Sequence, residues 1–273
     1  MKKVLSFVII VAMMLATCSC TNKSTDSKPD DTNEESENEV TWTRDGDYIV
    51  FGHYEQDGNL SNGPEPIEWE IVREEDGRML LISRYILDLQ SYNTESTNVT
   101  WETCSLRAWL NEDFINTAFD DSEQKQILTV INSNPDNAYY GTEGGNDTED
   151  RVFCLSVEEI LDNYDFQVWN EEYKDGCSQA LMTERTQSVV NYLHGGGIDY
   201  EITSEAYTEY YGPHGYTEEC IGLTCGYWWL RSPGGTSDSA CPVDSAGGTG
   251  WDFSLFVVPT TLGVRPAIYL KVE

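Results

Sequence analysis

Residues 227–231 read YWWLR, a run of aromatic and branched side chains that is typical of a β-strand. Side chains that follow one another on a strand point to opposite faces of the sheet. Trp228 and Leu230 therefore share one face, which we expect to pack in the core. Trp229 and Arg231 share the other face, which turns towards a second layer of the fold or towards solvent.

A second strand is predicted at the end of the chain, where residues 263–272 read GVRPAIYLKV. Val264 and Ile268 fall on one face of this strand, and Arg265 falls on the other. Pro266 cannot donate to a sheet, so it favours an edge position or a local bulge. The C-terminal part of the chain is therefore predicted to be rich in β-structure.

The middle of the chain has the spacing and the caps of helices. Apolar residues recur at helical spacing over residues 105–119, and capping residues open further helices near Asp121 and at Ser156. Beyond residue 163 the pattern weakens, and only a short helix near residues 187–193 is predicted.

Strands are predicted again before the helices. They cover residues 48–54, 67–72 and 79–83, and an Asp-Gly turn joins the last two. Strands near both termini around a helical middle indicate an α+β fold.

The N-terminus has the parts of a bacterial lipoprotein signal. Two lysines precede an apolar run at residues 4–15, which is too short to span a membrane as a helix, since that needs about 20 residues. The following residues resemble the lipobox that the lipoprotein signal peptidase cleaves. Because Ser19 is small, Cys20 is the predicted lipidation site, with Cys18 as the competing one.

Residues 1–19 are thus predicted to be a lipoprotein signal peptide, with an ordinary secretory signal or a core helix as the alternatives. Residues 20–41 hold the lipidated cysteine and an acidic segment that lacks aliphatic and aromatic side chains until its last residues, which predicts a disordered tether. Residues 42–273 form the globular domain. We expect the protein outside the cytoplasm, anchored to the cell membrane by its lipid, a palmitate-type modification.

The formal net charge of -32 limits the partners of this protein. Nucleic acids and anionic lipid surfaces both require basic patches, so we expect no nucleic acid, and membrane contact through the lipid anchor only. An acidic surface suits cations or cationic polymers. The alternative is that the charge serves solubility alone.

Removal of the signal peptide and use of Cys20 for lipid leave an even number of cysteines in the domain. They are Cys104, Cys154, Cys177, Cys220, Cys225 and Cys241. Outside the cytosol these cysteines permit up to three disulfides, although the sequence does not select a pairing. Buried thiols are the alternative.

Five motifs in order resemble the bacterial family called domain of unknown function 6273. They are IEW at 67–69, TWETCSLRAWLN at 100–111, YGTEGGNDTEDRVF at 140–153, WWLRSPG at 228–234 and GVRPA at 263–267. The resemblance covers about residues 45 to 272. It implies a secreted or lipid-anchored protein of anaerobic Gram-positive bacteria, in a family with no established activity.

The end of the chain also resembles, more weakly, the sulfatase-modifying-factor version of the C-type-lectin fold. This resemblance implies a C-type-lectin-like single domain. Those enzymes use two cysteines in C-x4-C spacing, as at Cys220 and Cys225, but here the pair precedes Trp228, so we do not transfer the catalytic role.

No catalytic residue is predicted from the sequence. The motifs GxSxG, HExxH and CxxC are absent, and His53, His194 and His214 show no recognisable arrangement. With 48 acidic residues, a pair of carboxylates suited to glycoside hydrolysis carries no information.

The loop GTEGGNDTED at residues 141–150 has the composition of a calcium site. Asp147, Glu149 and Asp150 are the candidate ligands, although the spacing is not that of an EF-hand. The alternative is a solvated turn, in which the glycines supply positive φ and polar side chains bond the local backbone. Calcium is the one cofactor that this loop could bind, and no other cofactor is expected.

Trp229, Arg231 and Arg265 are the candidate ligand-binding residues. They could form an aromatic and cationic platform that stacks on a sugar or holds a carboxylate. The alternative is that both arginines satisfy buried carboxylates or carbonyl groups inside the fold.

The predicted function is a non-enzymatic binding or adhesion module tethered to the cell surface, with an extracellular glycan or protein as ligand. One alternative is an extracellular enzyme that acts on a cell-wall or host polymer by unrecognised chemistry. A structural role in the envelope is the third hypothesis.

Overall fold

The computed structural model describes seven parts of the chain, which are residues 41–46, 48–163, 180–188, 200–201, 224–245, 247–258 and 260–272. The predicted signal peptide, Cys20 and nearly all of the tether lie outside these residues. So do Cys177, Cys220 and most of the helix expected near residues 187–193. The chain from Val40 to Glu273 forms one compact unit.

The largest sheet has six strands, and every neighbouring pair in it is antiparallel. In spatial order the strands are β1 (Thr43–Asp45), β2 (Tyr48–Tyr54), β3 (Glu65–Glu75), β4 (Arg78–Ser83), β17 (Ala267–Lys271) and β9 (Val152–Phe153). The Asp-Gly turn expected between β3 and β4 is present, with both Asp76 and Gly77 at positive φ. The last strand of the chain thus lies between β4 and β9.

A second sheet of five strands carries the YWWLR stretch. In spatial order its strands are β15 (Leu255–Phe256), β14 (Ser239–Val243), β13 (Trp228–Pro233), β16 (Thr261–Val264) and β6 (Asp88–Ser91). β13 pairs antiparallel with β14 and parallel with β16. All six residues of β13 are buried, so both faces of this strand are covered.

The strand expected at residues 263–272 is interrupted. β16 ends at Val264 in the five-stranded sheet, and β17 begins at Ala267 in the six-stranded sheet. Pro266 lies between these two strands, where the absence of an N–H group removes no hydrogen bond from either sheet. Its carbonyl oxygen accepts a hydrogen bond from Ser83 N at 2.9 Å. The prediction of one strand with Pro266 at an edge or in a bulge is wrong, because the chain crosses from one sheet to the other at this proline.

Two smaller sheets complete the β-structure of the described residues. One joins β11 (Tyr200–Glu201), β12 (Thr224–Cys225), β10 (Leu181–Met182) and β5 (Tyr85–Ile86). The other is the hairpin of β7 (Val130–Asn132) and β8 (Thr148–Asp150), which encloses the glycine-rich loop.

The helices lie in the middle of the chain, as the sequence predicts. In the described part of the chain they include a 3-10 turn (Trp101–Thr103), α1 (Ser105–Trp109), a π-helical turn (Leu110–Phe114), α2 (Ile115–Ala118), α3 (Asp121–Gln124) and α4 (Val157–Asn163), and residues 184–188 are also helical. Ser156 opens α4 through the expected capping box with Glu159, in which each residue bonds the other's backbone N–H. The predicted α+β class is confirmed.

Large aromatic side chains fill the core between these elements. Trp69, Trp101, Trp228 and Trp229 are all nearly inaccessible to solvent. Buried indole N–H groups need a partner, and that of Trp69 donates to Phe51 O at 2.8 Å. None of the helices in the described part of the chain is long and apolar enough to cross a membrane.

Candidate functional site

The three residues expected to form a ligand platform lie inside the fold. Trp229, Arg231 and Arg265 are 0%, 5% and 1% exposed, respectively. The Trp229 indole donates to Gln90 O at 2.9 Å, on β6 of the same sheet. Their ligand role stays a prediction, but no surface for a ligand is formed by these side chains.

Both arginines are held by carboxylates and carbonyl oxygens. Arg231 pairs with Glu159 and donates to Cys154 O at 3.0 Å. Arg265 pairs with Glu70, and its Nε donates to Ser83 O at 2.7 Å. These contacts match the alternative in which both guanidinium groups serve the interior of the fold.

The three acidic residues proposed for calcium do not converge. Glu149 and Asp150 are consecutive on β8, so their side chains point to opposite faces of the hairpin. Glu149 and Asp147 are exposed, whereas Asp150 is buried and forms an ion pair with Arg107. A shared ion would require Asp150 to leave this pair, so the set is not arranged as a calcium site.

Asp150 instead anchors the base of the glycine-rich loop. Its carboxylate accepts from the Trp101 indole at 3.1 Å, from Asn132 Nδ2 at 3.0 Å and from Thr148 Oγ1 at 2.7 Å. Because the carboxylate is both paired and hydrogen-bonded, its burial is compensated. The hairpin that supports the loop is thereby fixed to the helical layer.

A different acidic group, on the loop after β2 and at the start of β3, does converge within the described residues. Glu55, Asp57 and Glu65 bring carboxylate oxygens within 4.8 Å of one another. Asn62 Nδ2 donates to Asp57 at 2.8 Å and to Glu65 at 3.3 Å. Hydrogen bonds from Asn59 N and then from Asn62 lower the pKa of Asp57. The loop therefore satisfies these carboxylates with its own donors.

The glycines of the GTEGG motif shape the loop between β7 and β8. Gly141 and Gly145 have φ of +70° and +92°, a region that favours glycine. A Cβ on Gly144 would lie 2.2 Å from Asn134 O, so no larger residue fits there. These contacts support the alternative that the glycines serve the backbone of a turn.

This loop presents two tyrosines to solvent. Tyr139 and Tyr140 are 70% and 51% exposed, and their ring centroids are 4.8 Å apart with an angle of 81° between the planes. Neither tyrosine was predicted as a site residue, although two adjacent aromatic residues in a polar, glycine-rich stretch are a signal of an exposed binding loop.

Asn137 holds the backbone of both tyrosines. Its Oδ1 accepts from Tyr139 N at 2.9 Å and from Tyr140 N at 2.8 Å. Its Nδ2 donates to Pro233 O at 2.8 Å and to Trp251 O at 2.9 Å. One buried amide thus ties the loop to the end of β13 and to the segment that follows β14.

Tyr140 rests on the chain that follows β13. A Cβ on Gly235 would lie 3.1 Å from Cε2 of the Tyr140 ring and 3.4 Å from Ser254 Oγ, so the ring, this glycine and this serine are neighbours. We call Tyr139, Tyr140, Gly235 and Ser254 the tyrosine face. It is an aromatic surface on a loop whose backbone is fixed at several points.

The comparisons with known proteins place the chain in a family. Residues 76–272 match the family described as domain of unknown function (DUF6273). The chain belongs to this family. The match spans every described element from the turn after β3 to the end of β17. It includes the loop between β7 and β8 that carries Tyr139 and Tyr140, which we call the tyrosine loop.

The family description names no activity. No curated protein and no solved structure matches the chain.

Proposed function

We propose that this DUF6273 domain is a non-enzymatic binding or adhesion module that contacts its ligand through the tyrosine face. The observation that carries the proposal is the exposure of Tyr139 and Tyr140 on a loop that is held in place. The scaffold is a C-type-lectin-like single domain, in which binding is a property of the loops rather than of the sheets.

Exposed aromatic pairs favour binding for two reasons. Each ring offers a large apolar surface with only two rotatable bonds to order, so contact costs little conformational entropy. The four hydrogen bonds of Asn137 fix the backbone before a ligand arrives, which lowers the cost of association further.

The module acts at the cell surface in this proposal. The lipid on Cys20 anchors the chain to the outer face of the cell membrane, and the acidic tether holds the domain away from it. The ligand is an extracellular glycan or protein, and the chain needs no catalytic residue for this role.

Glycan arrays and pull-downs from cell-envelope and host-surface fractions test the proposal. The wild-type chain is compared with the double variant Tyr139→Ala, Tyr140→Ala. The control is Leu60→Ala, which removes a side chain that is 85% exposed on another loop. We expect a ligand that the wild type and the control retain and the double variant loses, with melting temperatures that agree within about 2 °C.

Two results would contradict the proposal. The first is a ligand that all three proteins bind equally well, which would place the binding surface elsewhere. The second is turnover of a cell-wall or host polymer by the wild type and the double variant alike, which would favour the enzyme alternative.

A further inference from the structure

The two chain segments that form the tyrosine face carry acidic residues and no basic ones. Residues 126–150 and residues 232–264 contain no Lys, Arg or His. Their acidic residues are Asp136, Glu143, Asp147, Glu149, Asp150, Asp238, Asp244 and Asp252. Of these, Asp150 is neutralised by Arg107 in the interior. The remaining carboxylates give this part of the molecule a negative potential.

Several of these carboxylates belong to the loops that meet at the face. Asp136 accepts from Gly144 N at 3.1 Å, so it lies within the tyrosine loop, and Glu143 is exposed on the same loop. Glu102 reaches the loop from the 3-10 turn and accepts from Asn146 Nδ2 at 2.9 Å. The loop therefore has carboxylates both before and after the two tyrosines.

Aromatic rings and carboxylates also meet on the adjoining segment. Tyr227 packs edge-on against Phe253, the residue before Ser254 of the tyrosine face, with ring centroids 6.4 Å apart. Burial and, after it, the negative charge of Asp244 raise the pKa of the Tyr227 hydroxyl. A carboxylate, that of Asp244, therefore lies close to this pair of rings.

The angle between the two tyrosines distinguishes between classes of ligand. The rings meet edge to face, with 81° between their planes and 4.8 Å between their centroids, so they do not form one flat shelf. A flat sugar ring stacks best on a shelf, whereas a compact ammonium group needs only the open face of one ring. Aromatic ring faces are the surfaces on which proteins bind alkylated ammonium ions.

We propose that the tyrosine face binds an organic cation, an alkylated ammonium group carried by its extracellular ligand. This inference rests on the proposed function and adds the chemical class of the ligand. The ring faces attract the cation through their quadrupoles, and the surrounding carboxylates add a longer-range attraction. The same carboxylates repel phosphate-rich and other anionic polymers.

Choline and its neutral isostere 3,3-dimethyl-1-butanol test this proposal on the full chain in a non-ionic detergent. The two probes have the same shape and differ in charge. Binding is followed by ligand-observed NMR titration. We expect choline to bind with a dissociation constant in the millimolar range and the isostere to bind at least about threefold more weakly. We also expect choline binding to weaken as the salt concentration rises.

Matched variants assign the binding to the face. Tyr140→Phe keeps the ring and should keep choline binding, whereas Tyr140→Leu should weaken it at least about threefold. Asp136→Asn combined with Glu143→Gln should weaken binding at low salt and have little effect at high salt. Leu60→Ala should bind choline as the wild type does, and melting curves show that each variant is folded.

The outcomes separate this inference from the proposed function. Equal binding of choline and the isostere, or loss of choline binding in Leu60→Ala, overturns the cation proposal. Tyrosine-dependent capture of a neutral glycan without choline binding also overturns it, and leaves the binding module standing. If neither choline nor any arrayed or captured ligand depends on the tyrosines, both proposals fall.

Discussion

Asn137 is the residue on which the geometry of the tyrosine face depends. It is buried, and both ends of its amide are satisfied by four backbone partners. An aspartate would repeat the acceptor and lose the donors, and a leucine would lose both. The polar chemistry of this one side chain therefore links the loop to two other segments.

Replacing Asn137 by alanine is expected to lower the free energy of unfolding by about 2 to 4 kcal/mol, because four hydrogen bonds are lost and some of their partners stay buried. Urea denaturation measures the change. The control is Tyr139→Ala, an exposed position where we expect a change within about 0.5 kcal/mol. Equal effects of the two substitutions would show that Asn137 does not hold the loop.

Trp229 and Arg265 belong to the interior, and their truncation is expected to be costly. Removing a buried tryptophan side chain lowers the free energy of unfolding by about 3 to 5 kcal/mol. Arg265→Ala leaves Glu70 without its partner and is expected to cost about 2 to 4 kcal/mol, since Glu70 is partly exposed.

Thermal unfolding of Trp229→Ala and Arg265→Ala measures these losses. Arg265→Lys is also measured and is expected to be less stable than the wild type. An ammonium group does not reproduce the guanidinium contacts to both Ser83 O and Glu70. If both alanine variants melt with the wild type and lose a ligand, these residues act as the platform that the sequence first indicated.

At the scale of elements, the β7–β8 hairpin and its loop form the unit that matters for binding. Asp150 fixes the hairpin to the helical layer, and the glycines allow the loop to fold back on Asn134. The loop is thus held at its base and at its tip. Its glycines differ in what they provide, and this difference can be tested.

Gly144→Ala is expected to disrupt the loop, because the new Cβ would meet backbone oxygens of Asn134 and Pro135 at 2.2 and 2.3 Å. Gly141→Ala is the control on the same loop, with positive φ and open space around it, and it should cost about 1 kcal/mol. Chemical denaturation compares the two. A milder effect of Gly144→Ala than of Gly141→Ala would contradict this packing.

β13 shows why strand alternation did not identify a surface. The alternation correctly separates Trp228 from Trp229, but in the structure both sides of the strand are covered. Trp229 packs edge-on against Tyr92 at 5.5 Å between ring centroids, and Arg265 lies over the Trp228 ring. A strand between two layers presents neither face to a ligand.

At the scale of the whole molecule, three of the described cysteines are buried thiols. They are Cys104, Cys154 and Cys241. Burial raises the pKa of Cys104 and Cys241 to about 12, and it raises that of Cys154 as well. Because the thiolate is the reactive form, these cysteines should resist alkylation while the chain is folded.

The raised thiol pKa values predict that stability falls at alkaline pH. Unfolded thiols ionise above about pH 8.5, whereas the folded ones keep their protons to about pH 12. Between these values the unfolded chain binds fewer protons, so the free energy of unfolding decreases as the pH rises. Urea midpoints at pH 7.5, 9 and 10.5 should fall in that order.

Alkylation with iodoacetamide, followed by peptide mass spectrometry, provides a second test at Cys104, Cys154 and Cys241. We expect slow labelling of these sites in the native protein and complete labelling in urea. Fast native labelling of Cys104 or Cys241, or an urea midpoint that does not fall above pH 9, would show that these thiols are not protected by burial.

The sequence by itself determined the local features of this protein. The helical middle, the Asp-Gly hairpin turn and the capping box at Ser156 were all predicted, because each depends on residues that are neighbours along the chain. The α+β class and the family followed from the order of such features. Local backbone preferences depend on short stretches of sequence, so they can be predicted from those stretches alone.

Only the tertiary structure decided which side chains are buried and which are exposed. It placed Trp229, Arg231 and Arg265 inside, separated Glu149 from Asp150, and moved the chain between sheets at Pro266. It also left Tyr139 and Tyr140 on the surface, although many other aromatic residues in the described part of the chain belong to the core. The physical reason is that burial depends on what packs against a residue, and those partners come from segments far away in the sequence.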